Sequence, residues 1–233
     1  MKNILIVGAG KGIGLETAKL LSAENSLITI SRTLTDSLNA LNTKFFPLDI
    51  AKDDLNLLNE FPEIIHGIVY CPGSINLKPF NRLSPQDFLN DFNQNVIGAV
   101  NIVQKLLPNL KKANGASIVF FSTVAAKLGM PFHASIATSK AAIEGLAKSL
   151  AAEFASFKIR VNVIAPSITD TPLASLLLST DEKREALAKR HPLQRIGTAN
   201  EMAQLVAFLL SDNSSWMTGQ IIGSDGGMGS LKT

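Results

Sequence analysis

The chain of 233 residues holds one cysteine, one tyrosine, one tryptophan and three histidines. Cys71 has no partner for an internal disulfide and no neighbours at metal-ligand spacing, which excludes a disulfide scaffold and a cysteine-based metal site. A lone thiol fits a reducing, cytoplasmic setting. No apolar run approaches the ~20 residues needed to cross a bilayer, because Gly, Pro, Asn or a charged residue interrupts each one. The opening MKNILIV breaks at Gly8 with no small-residue cleavage site behind it, so it reads as a buried strand and not as an export signal. Charge is sparse too. Charged residues make up 18%, the net charge is +3, and Lys and Arg are scattered among acids, which leaves no basic stripe for nucleic acid and no membrane-binding face.

Aliphatic residues are abundant. Hydrophobic types account for 46% of the chain, enough for a large core, and no repeat, low-complexity tract or Gly/Ser/Pro-rich linker divides residues 1–233, so a single domain is expected. Runs rich in Ile, Val and Leu alternate with longer stretches of helical period, the pattern of a parallel sheet covered on both faces. Strands are predicted at Asn3–Val7, Leu27–Ser31, Thr43–Pro47, Gly67–Tyr70, Ala116–Phe121, Arg160–Ile164 and Gln220–Gly223. Helices are predicted at Ile13–Ser22, Pro85–Lys111, Ala134–Phe157, Glu182–Arg190 and Asn200–Leu210, with an abbreviated second helix in Arg32–Asn42. Right-handed crossovers stack these units into an α/β fold, a doubly wound Rossmann-type parallel sheet of about seven strands.

Gly8, Gly12 and Gly14 lie between a buried strand and a helix, where the backbone can turn tightly and approach a pyrophosphate at the helix N-terminus; the same glycines also serve close strand-to-helix packing. The run V-G-A-G-K-G-I-G resembles the T-G-x-x-x-G-I-G cofactor loop of the short-chain dehydrogenase/reductase family, with Val7 where that family usually has Thr. The resemblance extends from Asn3 to about Met228. Asp49 in P-L-D-I matches the acid that contacts the adenine, Asn95 in N-V-I-G the helix-bending asparagine, and Gly73 closes a degraded N-N-A-G element. P-S-I-T-D-T at Pro166 to Thr171 matches P-G-x-x-x-T with Ser167 in place of Gly, and T-G-Q-I-I-G-S-D-G-G at Thr218–Gly227 follows the family's C-terminal pattern. The tip of the second strand, Ser31-Arg32-Thr33, lacks the acid that would bind ribose hydroxyls and repel a 2′-phosphate. Arg32 offers a permanently charged donor fork, Ser31 and Thr33 add hydroxyls, and Lys11 adds charge, so NADP(H) is the expected cofactor, as in the NADPH-preferring carbonyl and xylulose reductases of the family. The resemblance thus assigns cofactor contacts to Gly8, Lys11, Gly12, Ile13, Gly14, Ser31, Arg32, Thr33, Asp49, Ile50, Gly73, Lys140, Pro166, Thr169 and Thr171, and no metal.

In the resembling enzymes a tyrosine four residues before a helix-borne lysine protonates the substrate oxygen, and a serine thirteen residues earlier steadies it. Lys140 in T-S-K-A-A fits the lysine, but counting back four reaches Ile136, and thirteen more reaches Thr123, with Ser122 just before it. Thr123 keeps a hydroxyl; Ile136 keeps nothing. Tyr70, at a strand end, is expected to pack, and His66 and His191 carry no motif. His133 stands seven residues before Lys140 as a substitute acid, or as a surface histidine, and Ser135 reads as a helix cap. Thr123, Lys140, Asn95 and His133 are therefore the candidate catalytic residues. Residues 171–191 resemble the family's substrate loop, with Leu173, Leu176, Leu177 and Leu178 forming an apolar lid or a packed helix. Two functions compete: an NADP(H)-dependent oxidoreductase of a small carbonyl, alcohol or imine with an altered proton relay, and an impaired NADP(H)-binding pseudoenzyme or sensor. The resemblance also implies a homodimer or homotetramer paired through the Pro85–Lys111 and Ala134–Phe157 helices, whose small or apolar residues include Ala141, Ala142, Leu146 and Leu150.

Overall fold

In the computed structural model, which describes residues 1–55 and 60–232, seven strands form one wholly parallel sheet in the order β3-β2-β1-β4-β5-β6-β9. They are β1 (Lys2–Val7), β2 (Asn25–Ser31), β3 (Lys44–Pro47), β4 (Gly67–Tyr70), β5 (Ala116–Phe121), β6 (Ile159–Pro166) and β9 (Ile221–Ser224). Each predicted strand is present within two residues at either end. Successive side chains of a strand face opposite ways, and β1 shows the result. Leu5 and Val7 join a cluster with Ile102 and Leu106 of α4 (Gly98–Lys112) and Ile143 and Ala147 of α5 (Ala134–Phe154). Ile4 and Ile6 join the opposite cluster with Ala18 of α1 (Gly12–Leu21) and Val206 and Leu209 of α7 (Ala199–Leu210). Two apolar layers thus sandwich the sheet. The second helix, α2 (Asp36–Asn39), is a single turn, as the short segment required. Among the described residues no helix is long and apolar enough to cross a membrane.

Strand order reverses between β1 and β4, and the crevice beyond their carboxyl ends is where such sheets bind ligands. The loops leaving those two strands touch there: a Cβ on Gly8, whose φ is +82°, would come within 3.2 Å of the Pro72 nitrogen.

The structure corrects the sequence reading in two places. The predicted Pro85–Lys111 helix is interrupted: α3 (Pro85–Phe92) passes through a wider π turn, Asn93–Ile97, into α4. There the Gly98 N–H reaches back five residues to the Asn93 carbonyl, and the Asn95 side-chain amide donates to the Asp91 carbonyl at 2.8 Å. Asn95 therefore acts at the bend that its motif led us to expect. Additionally, a two-residue parallel ladder, β7 (Thr169–Asp170) with β8 (Gly197–Thr198), stands outside the main sheet and brackets residues 171–196, which contain α6 (Asp181–Ala188).

Candidate active site

Helix α1 begins inside the glycine loop with no side-chain cap and no acid in its first turn. By contrast Thr35, Ser84, Thr180 and Thr198 cap α2, α3, α6 and α7. The first N–H groups of α1 are thus open to an anion, as a dinucleotide's diphosphate requires. The cradle is built without side chains: a Cβ on Gly14 would run into the Gly8 carbonyl oxygen, and Gly12, at φ +59°, leaves room against Thr171. Ser31 packs on Gly10 and its hydroxyl donates to the Thr33 carbonyl at 2.8 Å, so it shapes the loop instead of offering a free donor. Arg32 and Thr33 are exposed beside it, as is Lys11. Asp49 accepts a hydrogen bond from the Ala51 N–H at 3.1 Å, and Ile50 packs into the core beside Gly98. These residues fit a dinucleotide lying across the carboxyl ends of β1, β2 and β4.

Beyond the glycine loop a cleft of about 300 Å³ opens, walled largely by apolar side chains. Gly73, Thr123, His133, Ile136, Lys140, Pro166, Thr169 and Thr171 all line it. Lys140 is buried and its ammonium donates to the Phe121 carbonyl at 2.9 Å. Burial pushes this lysine down to about 8, with the Cys71 thiol and the Asp91 carboxylate working in the opposite direction. Burial likewise pushes Cys71 up to about 12, against the pull of Lys140. Thr123 accepts from the Ala125 N–H at 3.3 Å, capping a short turn at the cleft wall, while Ser122, also at the wall, has its hydrogen engaged by the Glu144 carboxylate at 2.5 Å. Between the two, Thr123 is the hydroxyl free to meet a substrate. Ile136 presents an apolar side chain beside them.

His133 occupies the N-cap position of α5 without a capping hydrogen bond, half-buried, and its Nδ1 donates to the Pro131 carbonyl at 2.7 Å. Ser135 is not the cap the sequence suggested; it lies one residue inside the helix, buried, where its hydroxyl donates to Asp91. Asp91, only 3% exposed, also accepts from Ser74 at 2.5 Å and so ties α3 to α5 and to the loop after β4. The Asn95 amide nitrogen adds a bond to Ser139 at 3.1 Å, and its buried oxygen has no partner among the described residues. Tyr70 is buried as expected, and its phenol donates to the Gln94 carbonyl at 2.6 Å within the π turn. Burial and the Asp49 charge hold that phenol far above its usual range.

Of the five leucines in the 171–191 segment, Leu173, Leu177 and Leu187 line the cleft, Leu178 is buried, and Leu176 is 84% exposed and points to solvent. The sequence reading missed His191. It is 2% exposed, lines the cleft, and holds Ser167 at 2.8 Å through Nε2. The Gly-to-Ser departure at 167 was the one signal pointing to it.

Fold and site together define a Rossmann-type oxidoreductase frame with a nicotinamide-dinucleotide crevice. A family model described as enoyl-(acyl carrier protein) reductase matches residues 8–229. The chain belongs to the short-chain dehydrogenase/reductase family. It is 33% identical to a 3-oxoacyl-[acyl-carrier-protein] reductase of Thermotoga maritima over 97% of each chain. A short chain dehydrogenase family protein from Francisella tularensis superposes with a TM-score of 0.89 at 32% identity, covering 99% of this chain and 100% of that one. ElxO with NADP bound superposes with a TM-score of 0.89 at 26% identity over 99% of each chain.

Proposed function

We propose that this protein is an NADP(H)-dependent oxidoreductase of a small carbonyl or alcohol substrate, or of an imine, whose proton path does not use tyrosine. The observation that carries this reading is one cleft in which the uncapped end of α1, the buried Lys140 ammonium and the Thr123 hydroxyl meet. Preference for the phosphorylated dinucleotide is supported by Arg32, which is exposed at the tip of β2 with no acid beside it, and by the NADP carried by ElxO. Reduced nicotinamide, when bound, supplies a hydride. Lys140 then holds ribose hydroxyls, Asn95 bends the supporting helix, Thr123 steadies the substrate oxygen and the 171–191 segment closes over the cleft with Leu173 and Leu177 as its wall. His133, at the cleft wall, is a candidate proton donor.

A second reading, an NADP(H)-binding pseudoenzyme, is favoured by Ile136, since a positioned general acid contributes ~10²–10⁴-fold. Assembly as a homodimer or homotetramer is supported by the exposed Ala141 and by Leu146 and Leu150, which pack against the core yet stay only half-buried.

The test has two arms. Titration of wild type and Arg32→Ala with NADPH and NADH gives an NADPH preference that Arg32→Ala reduces ~10–100-fold, in line with a charged hydrogen-bonded contact; equal affinities in wild type refute the cofactor assignment. A panel of ketones, enones and imines with NADPH then gives turnover by wild type. Activity appearing only in Ile136→Tyr establishes the pseudoenzyme instead.

A further inference from the structure

Ser167 and His191 lie 24 positions apart in sequence and meet at the cleft. Neither has a counterpart in the pattern that the rest of the site follows: Ser167 occupies a position where the family's motif has glycine. The geometry fixes the histidine tautomer. Nδ1 lies 2.9 Å from the Leu187 carbonyl, which can only accept, so Nδ1 carries a hydrogen and Nε2 faces the Ser167 hydroxyl at 2.8 Å. The two bonds hold the ring at both nitrogens, and it lies beside Gly226, where a Cβ would come within 3.4 Å of it. Asp225 holds that turn by accepting from the Gly227 and Gly229 N–H groups, each at 2.9 Å. This is an orienting carbonyl, an imidazole and a hydroxyl in series, ending in the cavity.

We infer that Ser167, directed by His191, carries the proton to and from the substrate oxygen, the task that Ile136 cannot perform. The inference rests on the oxidoreductase reading above. With His191 neutral, the serine hydroxyl points its hydrogen at Nε2 and offers lone pairs to the cavity, ready to accept from an alcohol. With His191 protonated, Nε2–H donates to Ser167, whose own hydrogen turns to the cavity. In reduction the hydride that reduced nicotinamide would supply leaves its C–H bond there and forms one at the carbonyl carbon, and the π pair moves to oxygen. That oxygen takes the proton of Ser167 Oγ, Oγ takes the Nε2 proton, and neutral His191 remains, bonded to Leu187, until solvent reprotonates it. Oxidation of the alcohol runs the same steps backward.

Two measurements test the pair. Nitrogen NMR of the cofactor-free protein will find neutral His191 protonated on Nδ1; the Nε2–H tautomer overturns the relay. The second compares a carbonyl with a fully substituted iminium, which becomes a neutral amine on hydride addition and needs no proton. Ser167→Ala cuts carbonyl kcat by ~10²–10⁴-fold and iminium turnover by less than tenfold, with NADPH affinity retained. Ser167→Thr, which keeps the hydroxyl, recovers at least a tenth of the carbonyl rate, and this arm alone decides if wild type ignores the iminium. Equal losses on both substrates, no loss on the carbonyl, or no recovery by threonine each overturn the relay and leave the oxidoreductase reading intact. A wild type that binds NADPH but reduces nothing overturns both.

Discussion

Removing the Lys140 ammonium stabilises the cofactor-free protein, by an amount that depends on pH in a defined direction. Lys140 is 8% exposed and its affinity for a proton falls from 10.5 to about 8 on burial. At about 1.4 kcal/mol per unit, this costs the native state roughly 3 kcal/mol at neutral pH. Between pH 8 and 10.5 the unfolded chain still binds a proton at Lys140 that the native protein has released, so this group's contribution to native stability rises with pH through that window. Lys140→Met has no such dependence. It also loses the 2.9 Å bond to the Phe121 carbonyl, a penalty of about 1 kcal/mol that does not vary with pH. The difference between the two proteins therefore moves by about 2 kcal/mol in favour of wild type from pH 7 to pH 9.5. Cys71 and Tyr70, both raised by burial and still protonated in the native state of either protein at pH 9.5, cancel in the comparison. Urea unfolding without cofactor at several pH values reads this directly. Parallel stability profiles for wild type and Lys140→Met would show that the ammonium is solvated and the burial argument wrong.

Gly98→Ala directs a Cβ onto the Tyr70 hydroxyl, an overpacking worth ~1–3 kcal/mol in thermal or urea unfolding. Adding Tyr70→Phe recovers part of that loss, and strict additivity of the two changes would refute the clash. Glu201, held near 2 by the Arg195 guanidinium and the Thr198 N–H of its capping box, contributes stability present above pH 4.5 and lost as pH falls towards 2. The pair is partly exposed, so the difference between wild type and Glu201→Gln is about 1 kcal/mol at pH 6 and shrinks by pH 3, measured in low salt.

The sequence made the seven-stranded sheet legible because the central strands are buried on both faces and read as largely apolar runs, as in Ile4–Val7 and Ile118–Phe121. The cofactor loop was legible because it is a local feature, three glycines and a helix start. The π turn was legible only as a bend, through the motif at Asn95; its extra residue was not, since helical period runs unbroken through Asn93–Ile97. Nor was the β7–β8 ladder, whose two residues per strand carry no periodicity. The partners of Ser135 and His191 were not legible, because Asp91 and Ser167 come from distant segments and single-sequence spacing does not register such pairs.

The tiny β7–β8 ladder has a consequence for how this enzyme family member can change. It pins both ends of the 171–196 excursion side by side, so the entropic cost of closing that loop is settled by four residues at its base. Length and composition around its leucines are thereby loosened from the main sheet, while Thr171 and His191 stay tied to the glycine loop and to Ser167. Substrate range can drift by insertions or exchanges around Leu173 and Leu177 while the nucleotide crevice and the core stay untouched.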